Sequence, residues 1–328
     1  MPTYYILQNP GHNRVYFKAA RTLALQELNF AGKKMSAPPI NLREEIIGGI
    51  PYLLFDIESQ LTQSDILLLS RLSFVYGIFE GKGNALLPLE KNPNYLFDDD
   101  DITTILKYNG KTNELFTRMI INVAAFCSSF DGQLNIFDPL CGKGTTLFEG
   151  LLFGHNVYGV ELDEKIVHEA YTFLKKYLET ARRKHSGHQE RQGMTGYTAK
   201  RNQINMPETN VEFISGDTKD TGLFYRKNTF HIIVGDLPYG VQHSSKKSKE
   251  KSRNALPLVE AALPGWHKVL KPGGTLALAW NLFLIERSEM EEALQKGGFK
   301  LAMPAGDESF VHRVDQAIMR DLIVGIKE

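Results

Sequence analysis

One short segment limits the folds open to this chain more than any other. It reads Phe137-Asp138-Pro139-Leu140-Cys141-Gly142-Lys143-Gly144-Thr145-Thr146. An apolar run at 135–137 feeds it, and helical spacing begins near Thr145, so two glycines stand where a strand hands over to a helix. Gly142 and Gly144 reach backbone angles closed to other residues and let main chain approach a ligand. In an open α/β sheet such a turn lies beyond the C-terminal end of its strand, where ligands bind. The flanking sequence has the rhythm that this sheet requires. Strands are expected at 156–160, 211–214, 231–234 and 275–280, with helices near 114–128, 166–178, 256–270 and 286–296. Such alternation implies right-handed βαβ units and a largely parallel sheet. Two closing strands, near 299–303 and 317–326, have no helix between them and are expected to pair antiparallel.

The first hundred residues form a separate, smaller pattern. A strand is expected at 4–8, a helix at 17–30, a strand at 50–57, a helix capped by Ser64 and running to about Leu72, and a strand at 74–80. The acidic block at 98–101 reads as a solvated linker or a helix start. The expected division is a small α/β substrate-docking domain at 1–100 and a larger α/β domain at 101–328.

Three ligand classes suit a glycine loop in this place. A phosphate loop needs G-x-x-x-x-G-K-[ST], but here Lys143 is followed by Gly144. A dinucleotide fingerprint needs a third glycine where Leu147 stands. S-adenosylmethionine carries no phosphate and needs no third glycine; Asp138 would then face its cationic amino-acid end or an ordered water. The next strand ends in Val160-Glu161-Leu162-Asp163. Glu161 lies 19 residues beyond Gly142, the spacing at which an acidic residue reaches ribose hydroxyls. Asp163 is the expected helix cap, and Thr145 the expected cap of the helix after the loop. The third strand ends at Ser215-Gly216-Asp217, where a carboxylate suits an adenine amino group and equally suits a plain turn. The candidate cofactor set is Asp138, Pro139, Cys141, Gly142, Gly144, Thr145, Glu161, Leu162 and Asp217, with Cys141 a small packed side chain.

A second segment, Asp236-Leu237-Pro238-Tyr239-Gly240, follows the fourth strand and so falls beside the first loop. It suits methyl transfer to an amino nitrogen on an aromatic ring. The lone pair of that nitrogen is delocalised, and acceptors on both its hydrogens draw it out of conjugation. The Asp236 carboxylate and a backbone carbonyl at Leu237 or Pro238 can be those acceptors. Pro238 fixes the turn, and Tyr239 offers a ring on which a flipped base stacks.

D-P-L-C-G-K-G-T together with D-L-P-Y-G resembles the class I S-adenosylmethionine-dependent methyltransferases. The run Lys107-Tyr108-Asn109-Gly110-Lys111-Thr112-Asn113-Glu114-Leu115-Phe116-Thr117-Arg118 is similar to the segment before the catalytic domain in an RNA methylase family that includes tRNA guanosine-2-amino methyltransferases. The resemblance spans about residues 105–326. It implies a Rossmann-like α/β fold with a seven-stranded, mostly parallel sheet and one antiparallel strand. It also implies cofactor contacts at Asp138, Gly142, Gly144, Glu161 and Asp217, and catalysis at Asp236, Pro238 and Tyr239. Two departures stand out. The family usually has D-P-P-Y where this chain has Leu237, and the N-terminal hundred residues carry no THUMP pattern.

Charge bears on a polymer partner. Lys+Arg and Asp+Glu are 38 each, which excludes a wholly basic nucleic-acid coat. Yet 11 of the basic residues and only 3 of the acidic ones fall in two polar stretches, 182–209 and 243–253. The second directly follows Asp236–Gly240, so Lys246, Lys247, Lys249, Lys251 and Arg253 are candidate phosphate contacts. The expected activity is methylation of an exocyclic nucleobase amine, guanine in tRNA foremost. The alternatives are amino methylation of DNA and a catalytically silent RNA-binding module. Two cysteines cannot build a disulfide framework or a four-cysteine zinc site, and no H-x-x-x-H pair occurs, so no metal is expected. The start lacks a signal-peptide pattern and no apolar run approaches the ~18–20 residues of a membrane span. A cytoplasmic location is expected.

Overall fold

The apolar runs fold into two sheets. The computed structural model describes residues 1–9, 14–98, 100–106, 111–238, 254–307 and 309–328. The first sheet uses β1 (Thr3–Gln8), α1 (Arg14–Ala31), β2 (Ile40–Ile47), β3 (Ile50–Asp56), α2 (Gln63–Ser70), β4 (Val75–Lys82) and β5 (Ala85–Leu89). Its order is β2-β3-β1-β4-β5, antiparallel throughout. Ile6, Leu53, Phe55 and Ile78 on one face meet Ala24 and Leu28 of α1 and Leu69 of α2 in one core. The helix expected to begin at Ser64 is capped instead by Thr62, whose hydroxyl accepts from Asp65 N while Asp65 accepts from Thr62 N. β2 and β5 were not expected. Both are largely solvent-facing edge strands and so lack a sharp apolar alternation.

After α3 (Asp101–Thr104) come α4 (Glu114–Cys127), β6 (Asn135–Asp138), α5 (Thr145–Leu152), β7 (Asn156–Glu161), α6 (Glu164–Thr180), β8 (Ser186–Met194), β9 (Tyr197–Asn205) and β10 (Asn210–Ser215). A 3₁₀ turn at Thr218–Asp220 leads to α7 (Thr221–Phe224), β11 (Phe230–Asp236), α8 (Leu256–Val269), β12 (Leu270–Asn281), α9 (Arg287–Lys296), β13 (Phe299–Leu301), β14 (His312–Arg313) and β15 (Met319–Lys327). The sheet order is β13-β15-β12-β11-β6-β7-β10-β9-β8, with β14 on β15. Strands β10, β7, β6, β11 and β12 are parallel; β15 runs against them, and β13 pairs antiparallel with β15. Alternate side chains enter opposite cores. Ile136, Ile232, Val234 and Ala277 meet α4, α5 and α6, while Phe137, Ile233, Leu276 and Leu278 meet α8 and α9.

Among the described residues the sheet has ten strands, not the expected seven, and two run against the parallel body rather than one. The additions are β14 and the β8–β9 hairpin, which lies in the polar stretch 182–209, where no strand is expected from sequence. β8 is exposed along almost its whole length, so neither of its faces is marked by apolar residues. β9 buries Ala199, Asn202 and Ile204 against the sheet edge.

The two sheets meet through α1 and α4. Glu27, fully buried, accepts from Ser73 N (3.1 Å) and from Asn122 Nδ2 of α4 (2.7 Å). The rings of Phe30 and Phe310 lie 5.7 Å apart. Among the described residues no helix is long and apolar enough to cross a membrane.

Candidate active site

Parallel strands place their C-terminal ends on one side, and here four carboxylates collect there: Asp138 at the end of β6, Glu161 at the end of β7, Asp217 after β10 and Asp236 at the end of β11. The register opposes Asp138 to Gly159, Glu161 to Ser215 and Asp236 to Ala279, which keeps the strand ends level.

The glycine loop is rigidly built. Cys141 N donates to Val160 O (3.0 Å), and Gly144 N donates to Cys141 O (2.7 Å). Gly144 is the N-cap of α5 at φ +90°, with Phe213 and Phe148 3.2–3.3 Å from where a Cβ would stand, so glycine is required there twice over. The expected cap, Thr145, is instead the first residue of the helix. Gly142 lies at φ +50° with open space where its side chain would be. Buried Cys141 presses on Gly159, where a Cβ would stand 2.6 Å from its Sγ; burial pushes its thiol far above the usual range. Its role is packing. The Lys143 amine pairs with Glu169 of α6 at 2.7 Å, turned toward that helix.

Asp138 is 3% exposed and accepts from Leu140 N (2.9 Å). Burial pushes its carboxyl up to about 7; hydrogen bonds from Thr146 and Leu140 work against this, and the charges of Asp236 and Glu161 add to it. Glu161 accepts from Asp163 N (2.9 Å), and Asp163 caps α6 by accepting from Lys165 N (2.8 Å). Leu162 beside them is 62% exposed. Asp217 caps the 3₁₀ turn and pairs with Lys219 at 3.1 Å. Its own N–H donates to Tyr197 Oη (3.3 Å), whose hydroxyl donates to Asp220 (2.7 Å). Burial, then the bond to Asp220, push the Tyr197 phenol up to about 12, so it remains a donor at neutral pH. The tip of the hairpin thus clasps the third loop, a contact that the sequence pattern does not reveal.

Asp236 adjoins this group. Pro139 lies 3.6 Å from the position of a Cβ on Gly235, so the first loop touches β11 directly. Thr112, just before α4, donates its hydroxyl to Asp236 Oδ2 at 2.5 Å, and the Arg320 guanidinium of β15 lies 4.0 Å from the same oxygen. Leu237 N donates to Ala279 O (2.8 Å), a bond that a proline would forfeit, and its side chain is buried. Only its main chain can take part in chemistry. Pro238 is exposed. Tyr239, Lys246, Lys247, Lys249, Lys251 and Arg253 lie outside the described residues. A cavity of about 500 Å³ lined by Phe97, Tyr177 and Arg183 sits on the far half of α6, away from these carboxylates, and has no part in the site.

A family model of an RMKL-like methyltransferase domain matches residues 123–303, more than half of the chain. The chain belongs to this family. An RMKL-like methyltransferase domain uses S-adenosylmethionine as its methyl donor, and the residues at the strand ends fit it. A buried carboxyl, an open glycine loop and two further carboxylates suit a ligand with a cationic end, a diol and an amine. No curated protein matches the sequence. Solved structures with a similar fold include TrmN from Thermus thermophilus, at 15% identity and TM-score 0.46 over 88% of this chain. The chain spans 59% of the length of that protein. Others are a TehB-like SAM-dependent methyltransferase from Corynebacterium glutamicum (17%, TM-score 0.36, 61% of this chain and 83% of that one) and TehB from Haemophilus influenzae (12%, 0.42, 77% and 81%).

Proposed function

We propose that this RMKL-like methyltransferase methylates the exocyclic amino group of guanine in tRNA. The observation that supports this reading is the Asp236 carboxylate at the end of β11, level with the glycine loop and followed in sequence by Leu237 and Pro238. In this reading Asp138 receives the cationic amino-acid end of the cofactor, Glu161 the ribose hydroxyls and Asp217 the adenine amine. Gly142, Gly144 and Pro139 shape the loop, Thr145 opens its helix and Leu162 covers the ligand edge. When bound, S-adenosylmethionine supplies an electrophilic methyl group. Asp236 accepts one hydrogen of the target amine and the Leu237 or Pro238 carbonyl accepts the other, which frees the nitrogen lone pair and aims it. Asp236 takes the proton that the nitrogen sheds, directly or through water. Tyr239 stacks the base.

Phosphate contacts come in this reading from Lys246, Lys247, Lys249, Lys251 and Arg253, next to the catalytic turn in sequence. The other basic stretch contributes less, because Arg183, Lys200 and Arg201 pair with Glu208, Glu164 and Glu212. Residues 1–100 form the substrate-docking domain and 101–328 the transferase. The test is tritium transfer from labelled S-adenosylmethionine to tRNA from a deletion strain, with duplex DNA beside it. Methylated guanosine in the digested tRNA is expected. Incorporation into DNA alone would replace the RNA reading, and no incorporation with intact RNA binding would leave a silent module.

The raised Asp138 carboxyl makes cofactor binding depend on pH. A cationic ligand selects the ionised form, so affinity should climb as pH rises, by up to about tenfold per unit below 7, and level off above. Calorimetry in buffers of different ionisation enthalpy should find proton release on binding at pH 6, absent in Asp138→Asn. Without ligand the sign is opposite for stability. The folded chain holds this proton more tightly than the unfolded one, so stability falls from the ordinary 3.8 through about 7 as pH rises.

A further inference from the structure

We propose that Thr112, backed by Arg320, is a positioning residue for the transfer: its hydroxyl fixes one oxygen of Asp236 and so sets the angle at which the carboxylate meets the acceptor amine. The inference rests on the role given to Asp236 in the proposed function. Three parts of the chain far apart in sequence converge on one atom. Thr112 Oγ1 stands 2.5 Å from Asp236 Oδ2 across 124 residues of chain, and an Arg320 terminal nitrogen lies 4.0 Å from the same oxygen.

Each partner is itself held. Thr112 directly precedes Asn113, the N-cap of α4, whose side chain accepts from Phe116 N (3.1 Å). A helix with a capped start gives the preceding residue a set direction. Arg320 is 5% exposed, its guanidinium 4.3 Å from the ring centroid of Phe116 on that same helix. A cation stacked on a ring and closed off from water stays where it is put. His312, 5.1 Å from the same ring, is driven down to about 4 by burial, so it adds no second positive charge near neutrality. Thr112 and Arg320 therefore bear on Asp236 from α4 and β15, while β11 sets its backbone. A carboxylate anchored by one oxygen can rotate little about its last bond, which is the freedom that would blur its aim at a nitrogen.

The test uses the full chain with Thr112→Val, which keeps the shape and removes the hydroxyl, and Thr112→Ser, which keeps the hydroxyl. With tRNA from a deletion strain as acceptor, Thr112→Val should lower kcat by about ten- to a hundredfold, with KM for tRNA and cofactor affinity unchanged. Thr112→Ser should recover most of the rate. In an Asp236→Ala background Thr112→Val should have no further effect. Crystal structures give a second readout, with the Asp236 carboxylate turned away in Thr112→Val and in place in Thr112→Ser. A full rate in Thr112→Val, equal losses in both variants, or a carboxylate unmoved in Thr112→Val would overturn the proposal. If Asp236→Ala itself transfers at full rate, the role of Asp236 fails and this proposal falls with it. If Asp236→Ala is dead and Thr112→Val transfers at the full rate, Thr112 alone falls.

Discussion

Asp236→Ala is expected to lower methyl transfer by about 10²–10⁴-fold while leaving S-adenosylmethionine affinity unimpaired. In the proposed mechanism the substitution removes the acceptor for the amine hydrogen and the receiver of its proton. It leaves the glycine loop untouched, because that loop is held by Cys141, Val160 and Gly144 through main-chain bonds. It also removes a negative charge that bears on Asp138, which favours ionisation of Asp138 and so, in the proposed binding mode, does not weaken its hold on the cationic end of the cofactor. Single-turnover transfer with labelled cofactor, run beside a calorimetric titration, separates the two effects. Asp236→Asn should fall between wild type and alanine, since an amide still accepts but cannot take up the proton. Equal losses of binding and transfer in Asp236→Ala would assign Asp236 to the cofactor instead.

The second large effect concerns stability. Arg118 of α4 donates through Nε to Glu149 of α5 at 3.0 Å, with the two side chains 6% and 0% exposed. Burial disfavours the charge on Arg118, and Glu149, Tyr95 and Asp100 outweigh it, so the guanidinium holds its proton more tightly than usual. The ring of Phe153 lies 5.2 Å from the guanidinium carbon. Arg118→Met would leave the Glu149 carboxylate buried without its cation, a loss of about 3–5 kcal/mol. That corresponds to a fall in melting temperature of roughly 6–20 °C for a domain of this size. Arg118→Met with Glu149→Leu should recover most of it, because the desolvated charge leaves with its partner. Melting followed by circular dichroism decides; a single variant as stable as wild type would mean the pair contributes nothing. Since α5 begins at the glycine loop, the pair also seats the helix that follows this loop.

The parallel core and the strand ends were legible because both leave local marks. A buried strand is an apolar run, and the turn after it needs glycine where φ is positive, at Gly142 and Gly144. Asp163 as the cap of α6 was legible for the same local reason. What escaped was set by contacts through space. Thr112 and Arg320 reach Asp236 only once α4, β11 and β15 are in place, and no spacing rule joins them. Tyr197 lies in a polar stretch with no apolar period, and its bonds to Asp217 and Asp220 join segments about twenty residues apart. β2, β5 and β8 escaped because an edge strand exposed to water carries no apolar period.

The hairpin has a consequence for how the molecule behaves in company. Without it the sheet would end at β10, whose Val211 and Phe213 are buried and whose open backbone edge would recruit strands from other chains. β9 takes up that edge, and β8 becomes the new boundary, a row of Ser186, His188, Gln189, Glu190, Arg191 and Gln192 exposed on both faces. An approaching strand finds there little apolar surface to bury and a row of polar groups to desolvate, Glu190 and Arg191 charged among them. The hairpin is thus a guard against aggregation at the β10 flank of the parallel core, as β15 covers the β12 flank.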